Sequence, residues 1–257
     1  MIVIDKLCYQ SKLRYVNADL KFLFAMITLV FCIVSRSILL AVIVLITNGI
    51  LTVKKGGIPF WHYKRLMEVP LVFLCLSTLT IIVNVSREPM DAYAIAVGKW
   101  YLTGSTDSVW FGIQLIVTAL AAVSCLYFLT LNTTMTDILS VLERMHMPAI
   151  LLELMMLIYR FIFVLLEIAS AISTAQNSRL GNKDFRTSLR SFGQMAAALF
   201  VRALRKSGIL YDAMESRCYD GKIRVLTEHY PPDKAQIGWM VIYEFLLLGI
   251  TVWEKCI

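Results

Sequence analysis

Five stretches of this chain carry so few charges that their most stable environment is hydrocarbon: residues 22–35, 37–53, 69–86, 108–136 and 235–253, the last broken only by Glu244. Inside a bilayer every backbone N–H and C=O must be paired within the protein, so a helix of about 20 residues is the natural spanning unit. The first run is short and must borrow its neighbours, with Lys21 and Arg36 snorkelling toward the two interfaces. Arg36 then falls in a tight turn between the first two spans, and Pro70 sits near the start of the third, where a helix tolerates it. Hydrophobic residues make up 58% of the chain, above the roughly 45–50% of soluble domains. These features define an all-α integral membrane protein with about five transmembrane helices.

Charge in the connections orients it. Lys and Arg number four in the N-terminal tail, four in 54–68 and thirteen in 137–234, against four in all the alternate connections together. Basic loops stay inside, so the N-terminus and the long basic region are expected in the cytoplasm of a multi-pass cell-membrane protein. The charged residues from Asp5 to Lys21 do not read as a cleavable signal. The organisation expected is a tail with four spans over 1–136, a cytoplasmic region of amphipathic helices over 137–234 and a last span over 235–257. The net charge of +7 needs no nucleic acid to explain it, since anionic lipid and an acidic partner face suffice.

The 137–234 region is apolar for a water-facing segment. Residues 150–175 resemble a span, but Glu153, Arg160 and Glu167 recur every seven residues and share one helix face. Each would cost about 2.5–3.5 kcal/mol at the bilayer centre, so a helix lying along the membrane surface or crossing beneath the spans is expected. The alternative is a buried spanning helix with Glu153 and Arg160 paired. Residues 188–217 are too charged to span, and Gly193, Ala197 and their small neighbours would let a second helix backbone approach closely. A short helix over 137–145, ended by Pro148, precedes the two long ones.

Both long segments close on the same signature: Ser178-Arg179-Leu180 before Gly181, and Ser216-Arg217-Cys218 before Gly221. A nearby Gly can take the left-handed conformation that ends a helix. One Arg in a last helical turn merely complements the macrodipole, for about 0.3–1 kcal/mol. Two in matching contexts suggest two plugs, since a guanidinium makes bidentate bonds and a small Ser permits close approach.

At these residues the chain resembles the transmembrane (T) component of energy-coupling factor (ECF) transporters, specifically the cobalt-type CbiQ family. The resemblance covers nearly the whole sequence. It is densest in Thr133-Thr134-Met135-Thr136-Asp137-Ile138-Leu139, in Leu157 to Leu165, in Ser178 to Gly181, in Leu199 to Arg202 and in Tyr211 to Gly221. It implies a transducer rather than an enzyme, without a cofactor of its own. The implied partners are two ATP-binding-cassette ATPase subunits, a substrate-binding membrane subunit and membrane lipid. Short Ala-Arg-Gly-like motifs of the family dock into the ATPases, which carries that role by position to Ser178, Arg179, Leu180 and to Ser216, Arg217, Cys218. Cys218 departs from the usual Gly, and the 132–135 segment lacks a proline often found there. Cobalt is the implied cargo, with nickel or a vitamin as alternatives and a self-contained carrier as a rival reading.

Other chemistry is thinly represented. The six Cys are scattered, without a Cys-x-x-Cys pair, and the three His stand apart; buried packing of the thiols is expected, with no metal site and no catalytic group. No Gly-rich Lys-Ser/Thr phosphate loop occurs. Asn48, Asn84, Gln114 and Glu244 are the polar groups at membrane depth, and an interhelical role is the favoured expectation for them.

Overall fold

The computed structural model describes residues 3–82, 84–86, 93–97, 100–104, 106–221, 223 and 230–256. Among them run α1 (Val3–Gln10), α2 (Ala18–Ser35), α3 (Ile38–Ile50), α4 (Phe60–Ile82), α5 (Thr106–Asn132), α6 (Met135–Arg144), α7 (Ala149–Ser178), α8 (Phe185–Glu215) and α9 (Lys234–Cys256). The chain divides into two compact units, one of residues 2–138 with 228–257 and one of Leu139–Thr227. The division falls within α6.

Six of these helices are long and apolar enough to cross a membrane: α2, α3 with its extension to Lys55, α4, α5, α7 and α9. Five are the spans read from the sequence; the sixth, α7, belongs to the second unit and buries none of its residues. The protein is thus a helical, multi-pass integral membrane protein. Between α4 and α5 lie three short antiparallel strands, β1 (Asn84–Ser86), β2 (Tyr93–Val97) and β3 (Trp100–Gly104), in the order β1-β3-β2. Asn84, weighed above as a polar group at membrane depth, stands in β1 opposite Thr103. Arg87 and Lys99 of this connection lie outside the described residues.

The membrane unit packs α5 against α2, α3 and α4. Cys32, Leu40, Ala41, Val44, Ala121, Cys125 and Leu247 form its main core, and small Ala and Cys at the contacts let the helix backbones approach. Ser37 caps α3 with its side chain. Helix α4 begins at Phe60, so Pro70 lies well inside it rather than near its start. A proline there removes the N–H that would bond the carbonyl four residues back. The orphaned Leu66 carbonyl instead accepts the Tyr127 hydroxyl of α5 at 3.2 Å.

Polar groups among the spans tie helices to one another. Thr28 Oγ1 donates to Glu244 Oε1 at 2.8 Å, joining α2 to α9. Asn48 Nδ2 donates to Ser124 Oγ and Cys125 Sγ, both at 3.2 Å, joining α3 to α5. Gln114 donates to the Arg36 carbonyl, at the left-handed residue that ends α2. Lys21 does not snorkel. It is only 3% exposed, and its Nζ donates to the carbonyls of Leu13 (3.0 Å) and Asn132 (2.8 Å). Ser11 Oγ completes this knot on Asn132 Oδ1 at 2.7 Å, and a Cβ on Gly56 would fall 2.4 Å from the Thr52 carbonyl and 2.6 Å from Asn132 Oδ1. Snorkelling fails because the α1–α2 connection folds back over the end of α5, which offers the amine two carbonyls that would otherwise go unpaired.

Candidate coupling site at two helix ends

Helices α7 and α8 end in the same geometry. After α7, Leu180 takes φ +57°; its N–H bonds the Asn177 carbonyl (3.1 Å) and the Gly181 N–H bonds the Gln176 carbonyl (2.7 Å). After α8, Cys218 takes φ +59°, its N–H bonds the Glu215 carbonyl (2.9 Å) and the Tyr219 N–H bonds the Met214 carbonyl (3.1 Å). Each is a complete Schellman cap, pairing two carbonyls that the helix end leaves orphaned. The two signatures superpose in role: Ser returns its hydroxyl to its own helix, on the Thr174 and Ala213 carbonyls at 3.0 Å. Arg follows it, and the third residue turns left-handed.

The left-handed residue is therefore not the expected glycine. Gly181 stands one position too late, and it serves close approach instead: a Cβ there would meet the Gln176 carbonyl at 2.9 Å and Ser191 Oγ at 3.0 Å. Gly221, at φ +82°, lies beyond the second cap. The same arrangement ends α6, where His146 takes φ +63° and the Met147 N–H reaches the Leu142 carbonyl, so the helix stops in its own cap before Pro148 opens α7.

Polar contacts fix each end against its neighbour. Gln176 Nε2 donates to the Ser191 carbonyl (2.8 Å), and Ser191 Oγ donates to the Gly181 carbonyl (2.7 Å), which holds the first tip against the start of α8. At the other end of α7, Glu153 Oε2 accepts the Tyr219 hydroxyl at 2.6 Å and Oε1 accepts the Ile223 N–H at 3.2 Å. That hydrogen bond to a carboxylate holds the Tyr219 phenol above its usual pKa range. Gln176 and Glu153 stand 23 residues apart, so about 35 Å of α7 separates the two tips.

Ser178, Arg179, Leu180, Ser216, Arg217 and Cys218 are all exposed, and neither Arg enters an ion pair among the described residues. Arg160 is exposed too, so a buried α7 with Glu153 and Arg160 paired is not what forms. Gly193 and Ala197 do not carry the contact to α7: both are exposed, and nothing lies within 4 Å of a Cβ built on Gly193. The side-chain hydrogen bond between the two helices, from Gln176 Nε2 to the Ser191 carbonyl, lies near their joining turn instead. Sequence reasoning missed Gln176, Ser191 and Tyr219; only the third position of the repeated signature, filled by Leu180 and Cys218, hinted at a shared backbone turn. Cys75 and Cys218 are exposed, against the expectation of buried thiols, whereas Cys8, Cys32 and Cys125 are buried. Among the described residues no three His, Cys, Asp or Glu side chains converge.

The fold and the site together define a multi-pass helical membrane protein with a matched pair of exposed, Arg-bearing helix ends. The chain matches the cobalt transport protein (CbiQ) family model over residues 10–228 and belongs to that family. It is 33% identical to an uncharacterized protein of Methanocaldococcus jannaschii, over 98% of this chain and 94% of the relative. It is 31% identical to the cobalt transport protein CbiQ of Salmonella typhimurium, over 86% of this chain and 98% of the relative. Similarity extends to the energy-coupling factor transporter transmembrane protein EcfT of Staphylococcus aureus, 25% identical over 81% of this chain and 79% of the relative. The chain is a transmembrane component of the energy-coupling factor type.

Proposed function

We propose that this chain is the energy-coupling subunit of an importer for cobalt ions, without catalytic activity of its own. Two cytoplasmic ATPase subunits seat Ser178-Arg179-Leu180 and Ser216-Arg217-Cys218, and a substrate-binding membrane subunit rides on α7 and α8. The carrying observation is the pair of identical caps, each presenting an exposed guanidinium beside a left-handed residue. Two equal plugs fit two copies of one kind of socket, and their separation of about 35 Å suits two subunits rather than one. The balance of Lys and Arg supports an N-terminus and a 137–234 region in the cytoplasm, where ATP is available. The exposed apolar surface of α8, including Phe185, Leu189, Phe192, Phe200 and Leu204, is what a second subunit would cover.

Copurification tests the reading. Arg179→Glu or Arg217→Glu puts a carboxylate where acceptors held a guanidinium, a loss on the order of 2–5 kcal/mol, or at least about tenfold in affinity. Each single variant should retain part of the ATPase complement, and the double variant should lose both ATPases and cobalt uptake. Lys6→Glu, on α1, should change neither. A double variant with a full ATPase complement and normal uptake would reduce both Arg to partners of a helix dipole.

A further inference from the structure

A groove of about 550 Å³ opens at one end of the membrane unit, between the start of α2, the end of α3, α5 and the start of α9. Its deep end is closed by Tyr243, whose hydroxyl shares a hydrogen bond of 2.7 Å with Thr47 Oγ1 and whose ring stands 5.5 Å from that of Phe24. From Tyr243 the lining continues through Met240, Trp239 and Ile50 to Gln236 and Lys55. From Tyr243 to Gln236 the groove follows α9 for about 10 Å.

Charge and depth vary together along it. The walls of the deep part are aromatic and aliphatic, and among the described residues no Asp or Glu lines the groove, whereas two amines, Lys21 and Lys55, do. Lys21 gives two of its three N–H groups to the Leu13 and Asn132 carbonyls. Lys55 is exposed and has no ion pair among the described residues, so its charge is free to meet a ligand. The amine level is the end where α2 begins and α3 finishes, at the edge of the hydrocarbon; the apolar level runs inward along the spans. A soluble anion would use the mouth and leave the rest empty, and a lipid of zero net charge would bring its own cation to Lys55 and leave the positive charge there unneutralised. We propose that the groove binds one anionic phospholipid, its acyl chain between Phe24, Ile50, Met240 and Tyr243 and its phosphate on Lys55. Basic side chains flanking a membrane span attract anionic headgroups in this way, and a Trp at this depth, such as Trp239, is suited to the headgroup boundary. A lipid seated there braces the start of α9 against α2 and α3, where the described side chains do not fill the space between them.

Native mass spectrometry of the purified full chain, delipidated in detergent and titrated with phosphatidylglycerol or phosphatidylcholine, tests this. One phosphatidylglycerol should be retained at least about fivefold more strongly than phosphatidylcholine, the worth of one amine–anion contact at a membrane surface. Lys55→Gln should bring phosphatidylglycerol down to the phosphatidylcholine level, and Met240→Trp, which fills the groove, should remove the retained lipid of either kind. Thermal unfolding of each variant checks that it is folded; Lys55→Gln changes only an exposed side chain and decides the matter even where Met240→Trp does not fold. Equal retention of the two lipids, or a Lys55→Gln variant that holds phosphatidylglycerol like the parent, would overturn the proposal and leave the groove to another subunit.

Discussion

Replacing Cys218 by Val leaves Arg217 untouched and attacks only the backbone that presents it. Cys218 sits at φ +59°, a region that costs an L-residue roughly 1–2 kcal/mol through contact of Cβ with the neighbouring carbonyl. A β-branched side chain adds a second γ group to that contact. The cap it must hold consists of the hydrogen bonds from the amides of residues 218 and 219, at 2.9 and 3.1 Å, worth about 0.5–1.5 kcal/mol each. Val should therefore open the cap by about 1–2 kcal/mol, a five- to thirtyfold rise in the frayed population. Cys218→Gly removes the steric cost of about 1–2 kcal/mol but adds about 0.5–1 kcal/mol of chain-entropy cost, so on balance it should tighten the cap slightly. Hydrogen exchange at the amides of residues 218 and 219 reads this directly, without any partner. Val should speed exchange five- to thirtyfold and weaken ATPase binding in proportion, while Gly should slow it and leave binding intact. Unchanged exchange in the Val variant would refute the cap argument; faster exchange with unchanged ATPase binding would show that the cap does not matter for docking.

Three further outcomes are expected. In a background without native Cys, Tyr101→Cys in β3 should react with an impermeant thiol reagent from outside intact cells and Asn182→Cys should not; labelling at Asn182 would reverse the orientation. Ala197→Leu should leave the melting temperature of the isolated chain unchanged, because Ala197 is exposed within it, yet reduce recovery of a copurifying membrane subunit and uptake well below Lys183→Ala; equal uptake by the two variants would mean that nothing packs on this face. Gly56→Ala should destabilise the membrane unit by about 3 kcal/mol, since its Cβ would press on the Thr52 carbonyl and displace Asn132 Oδ1 from Ser11, whereas Gly193→Ala, in open space on an exposed helix, should stabilise slightly; comparable melting shifts in the two would contradict the knot.

The spans were legible because hydrocarbon imposes a one-dimensional rule on composition, and helices α2, α3, α5 and α9 follow it. The start of α4 was not, because its first turns carry Lys64, Arg65 and Glu68, and a charge count stops where a helix need not. Pro70 misled for the same reason: it reads as a beginning unless a neighbour is known to supply the missing donor, and Tyr127 lies 57 residues further on. The sheet between α4 and α5 had a local signal, the apolar, β-prone run of residues 93–97 followed by the Gly98-Lys99 pair that hairpin turns favour. Lys21 was unreadable because its carbonyl partners come from an irregular turn and from the far end of another helix.

The helix ends show where sequence and energy part company. A left-handed position is cheapest with glycine, and α6, α7 and α8 each place another residue there: His146, Leu180 and Cys218. Leu180 is the most informative. It accepts the roughly 1–2 kcal/mol of a left-handed L-residue and also leaves an apolar side chain 70% exposed, where burial would have been worth about 1.5–3 kcal/mol. The two cap hydrogen bonds offset the left-handed cost, but among the described residues the contacts at this tip, made by Gln176, Gly181 and Ser191, leave the Leu180 side chain uncovered. An apolar side chain held exposed on a fixed turn suits a surface that a partner covers. An apolar side chain held rigidly beside a free guanidinium is a better plug than glycine, because it brings both a charge to pair and an area to bury. On the docking proposed above, the non-glycine residue at the third position, noted in the sequence as a departure at Cys218, is part of what each tip would offer an ATPase.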